Sequence, residues 1–376
     1  MKQRYRRIVV KLGTNLLTDG DQLDMEQIGG IVAQIAALRQ AGTEVIVVTS
    51  GAVAAGRARL GVAQRRRDIP FRGVLAAVGQ GRLMQAYDSL FAAHDIVVAQ
   101  TLLTRRDLSD RVSYLNARNT LLALLGYKVV PVINENDTVA LEEVAESRIG
   151  ENDTLAALTA NLVDADLLVM LMTREGLYTA DPTTNPDATL VTRVERIDAT
   201  VEAYAGASER EGTGGMVTKL QAARLATSGG SDVVIASGRE PDVLPRLVQG
   251  EAIGTLFPAA ADRMESRKRW ILSGLSIKGG VVVDEGAAKA MTERNTSLLP
   301  AGVKDIRGVF NRGDTIEVTT LEGRRIACGI ANYDSVEMAS IMGAKSADIA
   351  TVLGHEANEF GATARHDNVD VLAEAQ

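Results

Sequence analysis

Over its first two thirds the chain alternates two apolar rhythms. Short, nearly continuous apolar runs read as buried strands: Arg7 to Leu12, Glu44 to Thr49, Ile96 to Gln100, Val129 to Ile133, Leu167 to Met172 and Val233 to Ala236. Between them, apolar positions recur at helical spacing. Ile28, Ile31, Val32, Ile35 and Leu38 predict a helix over Met25 to Gln40, with Gly42 as its stop. Further helical stretches are Leu83 to Ala93, Tyr114 to Leu125, Thr154 to Leu162 and Met216 to Ala226. This alternation predicts an α/β fold, a mainly parallel sheet sandwiched by helices. In such folds ligands sit beyond the carboxyl ends of the strands. The residues at those ends are Lys11-Leu12-Gly13-Thr14, Thr49-Ser50-Gly51-Ala52, Asn134-Glu135-Asn136-Asp137 and Thr173, all small, polar or charged except Leu12.

The texture changes near residue 260. An irregular, basic stretch, which includes Arg267-Lys268-Arg269-Trp270, gives way to short strands at Gly280 to Asp284, Asp314 to Thr320 and Arg325 to Ile330, with turns at Gly313-Asp314 and Glu322-Gly323. The expected organisation is a domain over 1–260, a linker over 261–275 and a small, mainly β domain over 276–376, its polar end frayed from about Ala362. With 376 residues either domain can bury a core, and an apolar share of 46 % is ordinary for a globular chain. A net charge of −7 argues against nucleic acid and anionic membranes as partners. The apolar run after the basic start, Ile8 to Val10, ends at Lys11, too short for a signal segment, and the single cysteine, Cys328, fits a reducing compartment. Both readings place the chain in the cytoplasm.

Four constellations could carry chemistry. In Gly212-Thr213-Gly214-Gly215-Met216-Val217-Thr218-Lys219, glycines let backbone N–H groups approach an anion, a helix start points its positive end there, and Lys219 adds a full charge. The plainer alternative is a flexible loop. Lys11 puts an ammonium at a strand end, with Gly13 letting the backbone near a phosphate; the alternative is a lysine snorkelling to water. Asn134-Glu135-Asn136-Asp137 and Gly150-Glu151-Asn152-Asp153-Thr154 place carboxylates and amides at a strand end and a helix start, where Asp153 could simply cap. Dinucleotide, protein-kinase and serine-hydrolase patterns are absent from the sequence.

Taken in order, Val9 to Thr14, Val48 to Ala52, Leu75 to Gln80, Leu115 to Arg118, Val132 to Asp137, Gly176 to Pro182 and Gly212 to Lys219 resemble the glutamate 5-kinase pattern of the amino acid kinase family over nearly the whole chain. The tail resembles that family's appended PUA domain, through Val283 to Ala287 and Ser297 to Pro300. The resemblance implies ATP with Mg²⁺ carried on the nucleotide, L-glutamate as acceptor, γ-glutamyl phosphate as product, proline as feedback inhibitor, and a homo-oligomer, dimer or tetramer. It assigns Lys11, Lys219 and Asp153 to catalysis, and Ser50, Asp137 and Asn152 to glutamate. It assigns Lys11, Gly13, Met172, Thr173, Thr213, Gly214, Gly215, Met216, Val217, Thr218 and Lys219 to ATP, with no metal site on the protein.

Glu151 and Met172-Thr173 depart from the pattern, which commonly has Asp at the first position and Thr or Ser followed by Asp at the second. Other readings are a family kinase acting on acetylglutamate, aspartate, carbamate or a nucleotide, or a catalytically weakened relative regulating or binding RNA through its tail. Residues 276–376 hold 10 basic against 15 acidic side chains, the wrong sign for binding through phosphates.

Overall fold

Arg7–Leu12 form β1, the middle strand of a seven-stranded sheet in the computed structural model. The structure describes residues 4–20, 22–62, 69–140, 151–205, 215–259, 277–294, 296, 298–345, 348–353 and 369–371. The chain divides into two compact units, Met1–Arg263 and Met264–Gln376.

In the first unit, β1 leads through α1 (Thr14–Leu17) and the two-residue strands β2 (Thr18–Asp19) and β3 (Gln22–Leu23) to α2 (Met25–Gln40) and β4 (Glu44–Val48). Then come α3 (Ala52–Leu60), α4 (Ile69–Ala92), β5 (Val98–Leu103), α5 (Arg105–Ser109), α6 (Arg111–Gly126) and β6 (Val130–Glu135). The unit is completed by α7 (Glu151–Leu162), β7 (Leu167–Met172), α8 (Ala199–Ala205), α9 (Met216–Ser228), β8 (Asp232–Ser237), α10 (Val243–Val248) and β9 (Thr255–Phe257). Strand order is β5-β6-β4-β1-β7-β8-β9. All neighbours run parallel except the β8–β9 pair at one edge. The α/β layering expected from the apolar rhythm is therefore present.

Strand alternation explains why two cores form. Ile8, Val10 and Leu12 of β1 enter one core with α2, α10 and the later turns of α4, supplied by Leu83, Tyr87 and Phe91. Val9 enters the opposite core with α6, α7 and α9. Lys11 shares the parity of Val9, so its ammonium enters the α7–α9 layer, at the carboxyl end of the strand, in register with Val48 and Met170. It lies within the strand rather than after it.

Helix α4 begins well before Leu83, and its early turns pack on α3 without a large apolar face. Gly56 and Gly79 bring the two backbones together: a Cβ on Gly79 would stand 1.8 Å from the Ala52 carbonyl oxygen, and one on Gly56 1.9 Å from the Leu75 carbonyl oxygen. Glycine is required at both positions because backbone fills the space a side chain would need.

The second unit has a five-stranded sheet of order β11-β10-β12-β13-β14, from β10 (Gly279–Val283), β11 (Val303–Gly308), β12 (Thr315–Thr320), β13 (Arg325–Ile330) and β14 (Val369–Val371). Its pairs are antiparallel except β10–β12. Helices α11 (Glu285–Arg294), α12 (Ser335–Ile341) and α13 (Ile349–Leu353), not foreseen from the strand-rich texture, help close a core around Val281, Val283, Ile316, Val318 and Tyr333. Cys328 on β13 is buried. The expected fraying from Ala362 needs correction at Val369–Val371, which pair with β13 as an edge strand. The expected linker over 261–275 lies outside the described residues.

The contact between α3 and α4 yields a stability prediction. Gly79→Ala should cost about 3 kcal/mol, the upper range for overpacking, since its clash is with backbone. Gly81→Ala, where a Cβ meets nothing within 4 Å, should be neutral or gain up to about 1 kcal/mol from helix propensity. Urea unfolding midpoints of the two variants test this contrast.

Candidate active site

Three elements distant in sequence deliver three charges to one point. β1 brings Lys11, the first turn of α7 brings Asp153 and the first turns of α9 bring Lys219. Lys11 Nζ lies 2.7 Å from Asp153 Oδ1, and Lys219 Nζ 3.1 Å from Asp153 Oδ2. Thr218 Oγ1 donates to Asp153 Oδ2 at 2.7 Å, with the Gly215 carbonyl oxygen 2.8 Å away. All three charged side chains are buried, Asp153 to 1 % exposure.

Burial alone would raise the Asp153 carboxyl, but the Lys11 and Lys219 charges and the hydrogen bonds of Lys11 and Thr218 outweigh it, leaving it lowered to about 2. Burial lowers the Lys219 ammonium, and the Lys11 charge adds to that, with Asp153 offsetting part of it. Within these three groups, two ammonium charges stand against one carboxylate. A buried cluster of this kind calls for an anion.

The surroundings fit that anion. Gly215 precedes α9 as its N-cap residue and has no capping side chain, so among the described residues no side chain caps the first N–H groups of α9, from Met216 to Thr218. A Cβ on Gly215 would meet nothing within 4 Å, and one on Gly13 would stand 3.7 Å from Lys11 Nζ, an ordinary contact distance. The chain's own packing does not require glycine at either position. Met172 ends β7 beside Ser237, and Thr173 follows it, exposed. Thr213 and Gly214 lie outside the described residues. Thr218 turns its side chain inward to Asp153.

Beside the charges runs a chain of amides. Asn152 Nδ2 donates to Ser50 Oγ at 3.1 Å and to Asn134 Oδ1 at 3.2 Å. Asn134 Nδ2 donates to Gln80 Oε1 on α4 at 2.8 Å, and the Glu135 N–H donates to Asn134 Oδ1 at 2.9 Å. Gln80 Nε2 and Asn152 Oδ1 are buried and have no hydrogen-bond partner among the described residues: one donor and one acceptor left over beside the same network. Asp137 is held by Arg72, whose Nε and Nη2 each lie 3.2 Å from Asp137 Oδ1.

The structure thus joins Lys11, Asp153, Lys219 and Thr218 in one cluster, and Ser50 with Asn152 in the amide chain. Helix α7 starts three residues earlier than its apolar period indicates, so Asp153 lies within its first turn and serves the lysines. Sequence reasoning missed Gln80, Arg72 and the bridging role of Asn134. Asn134 and Gln80 lay inside noted motifs but carried no pairing signal, and Arg72 lay in none.

Residues 6–237 match the amino acid kinase family, and residues 279–353 match the PUA domain. The chain is 50 % identical to the glutamate 5-kinase of Dehalococcoides mccartyi strain CBDB1 over 352 residues, 93 % of this chain and 94 % of that one. It is 51 % identical to the glutamate 5-kinase of Herpetosiphon aurantiacus over 364 residues, 96 % and 97 % of the two chains. The glutamate 5-kinase of Burkholderia mallei strain SAVP1 is likewise 51 % identical over 352 residues, 93 % and 94 % of the two chains.

The charge cluster makes a stability prediction. Asp153→Asn leaves two buried ammonium groups without their counter-charge and should cost about 3–5 kcal/mol. Because the folded carboxyl is lowered to about 2 from an ordinary 3.8, its contribution is complete above the ordinary value and is lost as pH falls toward the folded one. Urea titrations should therefore give a constant gap between wild type and variant near neutrality that narrows below pH ~4.

Proposed function

Since the chain belongs to the amino acid kinase family, we propose that it transfers the γ-phosphoryl group of ATP to the side-chain carboxylate of L-glutamate, giving ADP and γ-glutamyl phosphate, the first step toward proline. The observation that carries the reading is the excess positive charge of Lys11 and Lys219 on Asp153, facing the N-terminus of α9. The glutamate 5-kinase relatives, about half identical over nearly the full length, supply the acceptor.

The chemical difficulty is bringing a carboxylate against a triphosphate. Their repulsion must be cancelled and the charge on the migrating group stabilised, so catalysis is positioning and electrostatics. On this reading Lys11 and Lys219 lie along the path from the β-phosphate to the acceptor oxygen, and Asp153 holds both rigid. The acceptor carboxylate is ionised at neutral pH and attacks without a general base. Ser50 and Asn152 receive polar groups of glutamate, Asp137 its ammonium. Gly13 and the Gly215–Thr218 backbone receive phosphate oxygens, and Met172 and Thr173 flank the nucleotide. The carboxylate common beside Thr173 in relatives is missing here, so the nucleotide is held by backbone and hydroxyl at that point.

Asp153 is already engaged by two ammonium groups and is a poor resident metal ligand. Mg²⁺ is read as arriving on the triphosphate, where it neutralises phosphate charge. A cytoplasmic homo-oligomer, inhibited by proline, belongs to the same reading. Self-association is supported by β5, which ends the sheet, and by exposed Val97 and Tyr127 next to that edge. The proline part rests on the family alone, and proline's effect on the KM for glutamate checks it.

The test is to mix protein with Mg-ATP and amino acid, trap acyl phosphate with hydroxylamine and follow ADP. Hydroxamate with glutamate, and none with aspartate or acetylglutamate, is the expected result; no glutamate-dependent product from folded protein overturns the reading. Lys219→Ala should lower kcat at least ~100-fold, about 3 kcal/mol, while raising the KM for glutamate far less. Because the Lys219 ammonium is lowered from its ordinary 10.5, its charge is lost at lower pH than in a free lysine. The alkaline fall in kcat should begin below that value, and Lys219→Arg should move it upward in pH, at whatever residual rate that variant keeps.

A further inference from the structure

Helix α4 reaches the site twice, through Gln80 to Asn134 and through Arg72 to Asp137. Its early turns are locked to α3 by the contact at Gly56 and Gly79, so neither side chain is carried by a loose element. Asp137 is 9 % exposed, and a carboxylate so shielded keeps a cation beside it; Arg72, 45 % exposed, supplies one in the structure at 3.2 Å. Under the function proposed above, on which this inference rests, the substrate's ammonium goes to Asp137. That ammonium must therefore come to a carboxylate that a guanidinium already holds at Oδ1.

Glutamate brings the means of exchange. Its α-carboxylate is bonded to the same carbon as its ammonium, so an ammonium docking on Asp137 sets a carboxylate beside the displaced guanidinium. We propose that Arg72 is a specificity-determining residue that reads the substrate's α-carboxylate: the zwitterion inserts into the Arg72–Asp137 ion pair, its ammonium facing Asp137 and its carboxylate facing Arg72. Each charge meets an opposite charge before and after, so no ion is left unpaired in a shielded place. The forked guanidinium suits a carboxylate, and its half-exposed stem lets it turn without unpacking α4. The site then selects amino acids by both α-substituents, while the side-chain carboxylate is directed to the lysines.

The competing role is structural, with Arg72 merely neutralising Asp137. The two differ in what they demand of the substrate. A structural arginine matters equally for any ligand whose ammonium uses Asp137; a reading arginine matters only when the α-carboxylate is charged. The experiment compares kcat/KM for L-glutamate and for isoglutamine, which keeps the ammonium and the side-chain carboxylate but has an α-carboxamide. It uses the full chain as wild type, Arg72→Met and Arg72→Lys, following ADP release; where isoglutamine turnover is too slow to read, its inhibition constant against glutamate replaces kcat/KM.

Arg72→Met should lower kcat/KM for glutamate at least ~10-fold, through KM rather than kcat, and change isoglutamine less than ~3-fold, so that discrimination collapses. Arg72→Lys should recover part of the discrimination. Equal losses for both substrates, or no loss for glutamate, overturn the proposal, as does a wild type that does not discriminate between them. If Arg72→Met fails to fold, Arg72→Lys against wild type reads the same ratio, and an unchanged ratio there overturns it. Absence of glutamate turnover in the wild type is a separate result: it defeats the proposed function itself.

Discussion

Two ammonium groups compete for one carboxylate where β1, α7 and α9 meet, and much of the first unit's architecture can be understood from what this costs. Burial opposes charge on all three groups, and the carboxylate and the ammonium groups offset that cost for one another. The cluster therefore needs three backbones held in a fixed relation. The sheet fixes Lys11 through register with both neighbours, and the α7–α9 packing fixes the other two. A loop-borne lysine would relax toward water and the positive excess would be dissipated.

The second constraint is mechanical. On the side of the amide chain, contacts come from α4, whose early turns pack through backbone rather than large side chains. Small residues there allow close approach, and close approach fixes direction. Gln80 and Arg72 are thereby aimed at the end of β6 and the segment just after it, without a continuous apolar stripe behind them. Rigidity on this side and electrostatic tension on the other meet at Asn152 and Asp153, consecutive residues of α7 that face the amide chain and the lysines respectively.

What the sequence made legible follows from the same physics. Helix α2 and strand β7 were readable to the residue because buried apolar groups alone define them. Lys11 and Lys219 were conspicuous because charge at a strand end or behind glycines has few other uses. The early turns of α4 were not readable, since Ala76, Ala77, Gly79 and Gly81 give almost no apolar contrast. The start of α7 was misjudged because Asn152 and Asp153 look like solvent-facing polar residues but turn inward. Arg72 and Asp137 are 65 positions apart, and no local pattern announces a pair that only the tertiary fold assembles. The helices of the second unit are short and were hidden among its strands.

Cys328 carries a consequence apart from the chemistry of the first unit. It is the chain's single cysteine and is buried on β13. A thiol reagent therefore has one target in the molecule, and it gains access only when the C-terminal sheet opens. The rate of modification is a built-in clock for the breathing of that unit, readable by mass alone while the first unit stays folded.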